Sequence, residues 1–213
     1  MSTDIQKINE QIAQLEKQRN QLLQHEATVC NIGYVGDNYD KNTDKKLYSR
    51  WNNIIQRCYN PNASNYPYYG GNGITIAPEW HNFSNFKKWF LENVYDIGNE
   101  SLVVDKDILI PNNTVYSPDT CLLVPISFNS IFAGLNEYSN KSQKKATGKS
   151  AINKMDNGTY QLKLFQSTFS NFKSLEIANN TKINVYKALL NGLVQNYPTM
   201  PDKVRKAILN YQF

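Results

Sequence analysis

From Met1 to Ile32 the chain has neither glycine nor proline, and Ile5, Ile8, Ile12, Leu15, Arg19 and Leu22 recur there at spacings of 3, 4, 3, 4 and 3. That is the a/d pattern of a helical seam, with one basic residue in an otherwise apolar stripe and Gln, Glu, Lys and Asn around it. The spacing predicts a helix over residues 3–25. About three heptads are marginal alone in water, so the stripe needs a covering partner. A parallel pair of helices from two copies is the favoured arrangement, which makes Ile5, Ile8, Ile12, Leu15 and Leu22 self-association residues. The alternative is that the stripe packs back onto its own chain.

The remaining sequence is divided by charge. The 213 residues carry a formal net charge of +5, but residues 1–29 hold -1, residues 30–135 hold -2 and residues 136–213 hold +8. A basic excess confined to one end points to a polyanion-binding part joined to a near-neutral part, although a solvated lysine-rich surface would look the same. No run of about 18 apolar residues is present, so no membrane span is expected. Met1–Gln6 lacks the basic-then-apolar pattern of a leader. Three widely spaced cysteines, Cys30, Cys58 and Cys121, form no disulfide framework and suit a reducing, cytoplasmic setting. His25 and His81 complete no zinc pattern. The 29 asparagines, and 19 lysines against 4 arginines, are residues of AT-rich codons, which fits a low-GC bacterium or its phage.

Residues 33–44 read as a linker. Leu47, Trp51, Ile54, Ile55 and Cys58 recur at helical spacing, predicting a helix over 44–60 with Asp44 available as its cap. Arg50 and Arg57 lie seven apart, on one face of that helix. A Gly-rich turn at Tyr69–Gly73 and a short strand at Ile74–Ile76 follow. Ser84 is placed to cap a helix over 85–94 whose stripe is Phe86, Trp89, Phe90 and Val94; Trp51, Trp80 and Trp89 are expected in the core. Residues 102–110 read as a strand, Cys121–Val124 as another, and Pro125 or Ser127 opens a helix through Ile131. After a polar, basic linker over 136–150, Asp156-Asn157-Gly158 sits between alternating segments, a hairpin signal. A third strand near 169–174, a helix over about 175–194 with Ile177, Val185, Leu189 and Leu193 in its stripe, and a last helix over 202–211 complete the chain.

Several segments resemble a family. Tyr48-Ser49-Arg50-Trp51, Arg57-Cys58-Tyr59-Asn60-Pro61, Tyr69-Gly70-Gly71-Asn72-Gly73-Ile74 and Glu79-Trp80, followed by Val104-Asp105-Lys106-Asp107 and Tyr116-Ser117-Pro118-Asp119-Thr120-Cys121, resemble phage-encoded, homing-endonuclease-type HNH endonuclease-like proteins. The C-terminal hairpin with Phe172-Lys173-Ser174-Leu175-Glu176-Ile177-Ala178 is similar to the APETALA2-type DNA-binding module that such proteins carry. The resemblance implies an α+β chain: an N-terminal coiled-coil helix over 1–29, an HNH-like ββα domain with preceding helices over 30–135, and a basic linker with a three-stranded sheet plus helix over 136–213.

The resemblance also implies chemistry. Asp105 matches the strand carboxylate and Asn129 the helix residue that hold a divalent metal, Mg²⁺, which stabilises charge on a phosphate during DNA cleavage. The neighbouring general-base histidine is replaced by Lys106, which as an ordinary lysine is protonated and cannot take a proton. Two readings therefore stand: a double-stranded DNA-binding protein that nicks or cleaves its target, or a catalytically idle scaffold acting as a regulator or as an inhibitor of a host defence protein. Lys141, Lys144, Lys145, Lys149 and Lys154 are expected to meet phosphates, with Arg50 and Arg57 as further DNA contacts. Lys154, Gln161 and Lys163 are expected on the exposed face of the hairpin, where a β-ribbon can enter a major groove.

Overall fold

The computed structural model describes residues 2–24, 26–136, 150–164 and 167–211. The chain is mixed α+β with three small sheets and divides into two compact units. Unit 1 comprises residues 1–93 and 112–121; unit 2 comprises residues 94–111 and 122–213.

Unit 1 begins with α1 (Ser2–Gln24). The chain then reaches α2 (Lys45–Tyr59), β1 (Thr75–Ile76), α3 (Phe83–Asn93) and β3 (Val115–Tyr116), the last pairing in parallel with β1; β2 (Leu102–Asp105) belongs to unit 2. Trp51, Ile54, Ile55 and Cys58 of α2 are buried, as the helical spacing requires, together with Phe83, Phe86 and Trp89 of α3. The core is aromatic. Trp80 lies 4.7 Å from Trp89 and 5.1 Å from Phe86 in edge-to-face contacts, and the Trp51 indole N–H donates to the Trp80 carbonyl at 2.7 Å.

Several local expectations are corrected here. Residues 33–44 are not a free linker: the Tyr34 N–H donates to His81 and the Phe83 N–H donates to Tyr34, pinning the segment to the start of α3. Gly36 has φ +67°, and a Cβ there would strike the Asn82 side chain. That Asn82 carboxamide, and not Ser84, caps α3 by accepting the Ser84 N–H at 2.8 Å, while the Ser84 hydroxyl donates to Val35. Asp44 occupies the cap position of α2 but does not cap it with its side chain. Its carboxylate accepts the Asp40 N–H at 2.9 Å and the Lys87 ammonium at 2.7 Å. The Gly-rich turn is a pair of 3₁₀ turns, Tyr66–Tyr68 and Gly70–Asn72, and Gly70 lies so close to the Cys58 carbonyl that a side chain would not fit.

Unit 2 holds β2 (Leu102–Asp105) antiparallel to β4 (Leu122–Pro125), with Asp105 opposite Leu122 and Leu102 opposite Pro125; α4 (Ile126–Asn136) follows and packs on both strands. β5 (Ser150–Lys154), β6 (Tyr160–Leu164) and β7 (Ser167–Phe172) form an antiparallel sheet in that order, and α5 (Leu175–Val194) and α6 (Asp202–Leu209) complete the unit. Ser174 caps α5 through its hydroxyl, which accepts the Ile177 N–H. Leu162 and Leu164 pack with Tyr186 of α5, and Val124, Phe128 and Phe132 pack with Leu190, Val194 and Ile208.

Two expectations fail in this unit for physical reasons. The strand expected over 102–110 stops at Asp105, because its carboxylate accepts the N–H groups of Asp107 and Ile108 and turns the chain. The buried stripe of α5 is Ala178, Lys182, Tyr186, Leu190 and Val194, one position on from Ile177 and Leu189, which are exposed. Two adjacent stripes compete, and the one holding the Tyr186 ring wins although it also carries a lysine. The aliphatic stem of Lys182 packs, and its ammonium lies 6.0 Å from the Tyr186 ring centroid.

Candidate functional site

The strand-end cluster is built by the turn that closes β2. Asp105 is 9% exposed and Lys106 is 7% exposed, so both groups are buried. One Asp105 carboxylate oxygen accepts the backbone N–H groups of Ile108 at 2.7 Å and Asp107 at 2.8 Å. Burial pushes the Asp105 carboxyl above its usual range. The two backbone donors and the Lys106 charge oppose that rise without cancelling it, and the Asp107 charge adds to it. The Lys106 ammonium is held by the Asp107 carboxylate at 2.6 Å.

Asn129 is half-buried on α4, one turn from its start. The register sets Asp105 at the Leu122 end of the strand pair, whereas α4 begins beyond Pro125, at the Leu102 end. The start of α4 is fixed by Glu100, whose carboxylate accepts the Ser127 N–H at 2.6 Å and the Tyr197 hydroxyl. Burial alone would raise the Glu100 carboxyl, but these donors outweigh it and hold it below the usual range. No local sequence signal could have found this cap, since its partners lie 27 and 97 residues away.

These residues fit Mg²⁺ poorly. Asp105 is raised toward its neutral form and holds a turn, and Asp107 is engaged by Lys106. Among the described residues no group of three or more His, Cys, Asp or Glu side chains is placed to hold a metal. His81 belongs to unit 1, where its Nε2 lies 3.1 Å from the Ile76 carbonyl oxygen.

In unit 1, Arg57 is enclosed by aromatics. Its guanidinium lies 4.6 Å from the ring centroids of both Tyr69 and Tyr116, and its Nε is buried with no hydrogen-bond partner among the described residues. Burial pushes the Tyr116 phenol up, against the opposing charge of Arg57. Two aromatic rings therefore flank this half-buried guanidinium. Arg50 is half-buried, 5.8 Å from the Phe90 ring.

The sheet of unit 2 has one face covered by α5 and one open face. Directly opposed residues of antiparallel strands share a face. Lys154 opposes Tyr160 and Ile152 opposes Leu162, which places Lys154 on the Tyr160–Leu162–Leu164 side. Gln161 opposes Asn153, and Lys163 opposes Thr168 on the other side, with the Gln161 amide reaching the Ser170 hydroxyl at 3.4 Å. The expectation that Lys154, Gln161 and Lys163 share the open face is corrected. Gln161 and Lys163 do, joined by Asn153, Thr168 and Ser170, while Lys154 lies on the opposite side at the hairpin end. The reason is loop length. The Met155 N–H donates to Thr159, so the loop holds the three residues Asp156–Gly158, with Gly158 at φ +81°. Lys141, Lys144, Lys145 and Lys149 lie outside the described residues.

Charge follows the two units. Unit 1 holds ten basic and ten acidic residues, and unit 2 holds thirteen basic and eight acidic ones, so the whole excess of +5 belongs to unit 2. Among the described residues no helix is long and apolar enough to cross a membrane. Comparison with known proteins finds no matching family model, no matching curated protein and no matching solved structure.

Proposed function

We propose that the protein binds double-stranded DNA through unit 2, as two copies joined by the N-terminal helices, on a core of HNH-like ββα type that does not cleave. The observation that carries the reading is the segregation of charge. Unit 1 is neutral, and the entire excess of positive charge lies in the unit whose small sheet has a polar face of Gln161, Lys163, Asn153, Thr168 and Ser170. Lysine supplies most of this charge, which suits attraction to phosphate more than bidentate base reading. Four phosphate contacts would lower the affinity about a hundredfold between roughly 50 and 200 mM salt. Anisotropy of a labelled duplex across that range tests the proposal; salt-insensitive or absent binding defeats it.

The HNH-like part of the reading is supported by the antiparallel pair of β2 and β4, joined through a segment that carries β3, with α4 following β4 and packed on both strands. The idle-scaffold reading is favoured over cleavage by the ion pair that engages Lys106, where the general base would stand, and by the two amides that engage Asp105. Supercoiled plasmid incubated with Mg²⁺ or Mn²⁺ and a folded, DNA-binding sample is expected to stay intact. Nicking that disappears in Asp105→Ala and Asn129→Ala would restore the enzymatic reading.

A further inference from the structure

The seam of α1 is open along its length. Ile12, its least exposed apolar position, is 49% exposed and Leu22 is 75% exposed, with Ile5, Ile8 and Leu15 between them. We infer that a second copy of this chain covers the seam as an antiparallel helix, with the two-fold axis midway between Ala13 and Gln14.

The seam positions are symmetric about that point. Ile5 and Leu22 are equidistant from it, as are Ile8 and Arg19, and Ile12 and Leu15. The helix runs unbroken over Ser2–Gln24, so its own midpoint lies within one residue of the axis. An antiparallel pair therefore overlaps along almost all of its roughly 35 Å without leaving any seam residue unmatched. Each Ile5 meets the partner's Leu22, each Ile12 meets the partner's Leu15, and each Ile8 meets the partner's Arg19.

Arg19 decides between the two orientations. In a parallel, in-register pair every seam residue meets its own copy, so two Arg19 guanidinia face each other across the axis, a like-charge pair in a partly desolvated layer. In the antiparallel pair no like charges meet. The aliphatic stem of each Arg19 lies on the partner's Ile8, and its head group reaches solvent at the rim. Ile5 and Ile12 at a with Leu15 and Leu22 at d follow the pattern that favours parallel pairs, and Ile8 at d departs from it, so the apolar positions do not decide the orientation and Arg19 does.

The inference rests on self-association through the seam and not on DNA binding, so a dimer that ignores DNA leaves it standing. Position 8 provides the test, because it meets Arg19 in one orientation and itself in the other. Sedimentation equilibrium of the full chain is expected to show a dimer for the natural sequence. Ile8→Glu, placed opposite the partner's Arg19, is expected to dimerise at least about tenfold more tightly than Ile8→Lys at low salt, with the ratio shrinking near 1 M salt. The charge-swapped Ile8→Lys/Arg19→Glu chain is expected to recover the association that Ile8→Lys loses. Circular dichroism checks that each variant keeps its helix. Equal dissociation constants for Ile8→Glu and Ile8→Lys, or no rescue by the swap, would overturn the orientation. A natural chain that stays monomeric at every concentration would overturn the association itself.

Discussion

The Lys106 ammonium lies 2.6 Å from the Asp107 carboxylate, in the same turn where Asp105 holds the amides of Asp107 and Ile108. Three consecutive charged residues are thus occupied with one another and with the backbone. The turn is held by acceptor geometry more than by charge, and that distinction can be measured.

Asp105→Asn and Asp105→Ala separate the two contributions. Asparagine keeps an oxygen for both amides, whereas alanine leaves two buried donors unmet, at about 1–3 kcal/mol for each group. The Asp105 carboxyl is raised by burial in the folded chain. Its contribution is therefore fully present below the unfolded carboxyl value near 4 and is lost as pH rises through the higher folded value. Urea unfolding is expected to show Asp105→Asn gaining on the natural chain between pH 4 and pH 7, and Asp105→Ala less stable at both. An asparagine variant that loses ground toward pH 7 would mean that the folded chain prefers the ionised carboxylate.

The enclosure of Arg57 by Tyr69 and Tyr116 predicts a packing role. Arg57→Lys keeps the charge but loses the planar group that fills the space between two rings, and is expected to destabilise the chain by about 1–2 kcal/mol. DNA affinity, measured under conditions where the variant is fully folded, is expected to be unchanged. A variant of natural stability with weakened DNA binding would return Arg57 to the interface.

How much of this was legible depended on the range of the interactions. The apolar stripe of α2 and the hairpin around Asp156-Asn157-Gly158 are readable, because each is decided within a few residues by periodicity or turn chemistry. The end of β2 was not, because Asp105 alternates correctly as a strand residue and only its choice of backbone partners turns the chain. The buried stripe of α5 lies one position on from the one the spacing predicts, since a lysine on a buried face looks like a surface residue until its stem is packed. Asp105 and Lys106 could be singled out as a charged pair, but sequence gave no measure of their burial. The Arg57 stack and the Glu100 cap join residues far apart in the chain, beyond any pattern read locally.

The segment holding Lys141, Lys144, Lys145 and Lys149 concentrates four charges in nine residues. If all four meet phosphates, replacing them together by glutamine is expected to reduce the slope of log affinity against log salt by about 3.6. Affinity would fall for every duplex alike, since phosphate contacts carry no sequence information. An unchanged slope would remove this segment from the interface and leave the other basic residues of unit 2 as the source of attraction.

Lys163 and Lys154 provide the sharpest comparison, because they carry the same charge on neighbouring strands of one sheet but on opposite faces. Lys163 shares the open face with Gln161, whereas Lys154 lies on the side that α5 covers, at the hairpin end. If the open face meets DNA, Lys163→Ala is expected to lower the affinity and reduce the salt slope by about 0.9, the value for one lost phosphate contact. Gln161→Ala is expected to weaken preferred sequences more than random ones, because a side-chain amide can read a base edge. Lys154→Ala, which removes the same formal charge, is expected to leave the slope nearly unchanged. Equal losses for the two lysine variants would mean that net charge, and not this face of the sheet, governs binding. A larger loss for Lys154→Ala would put the contact at the hairpin end and the α5 side.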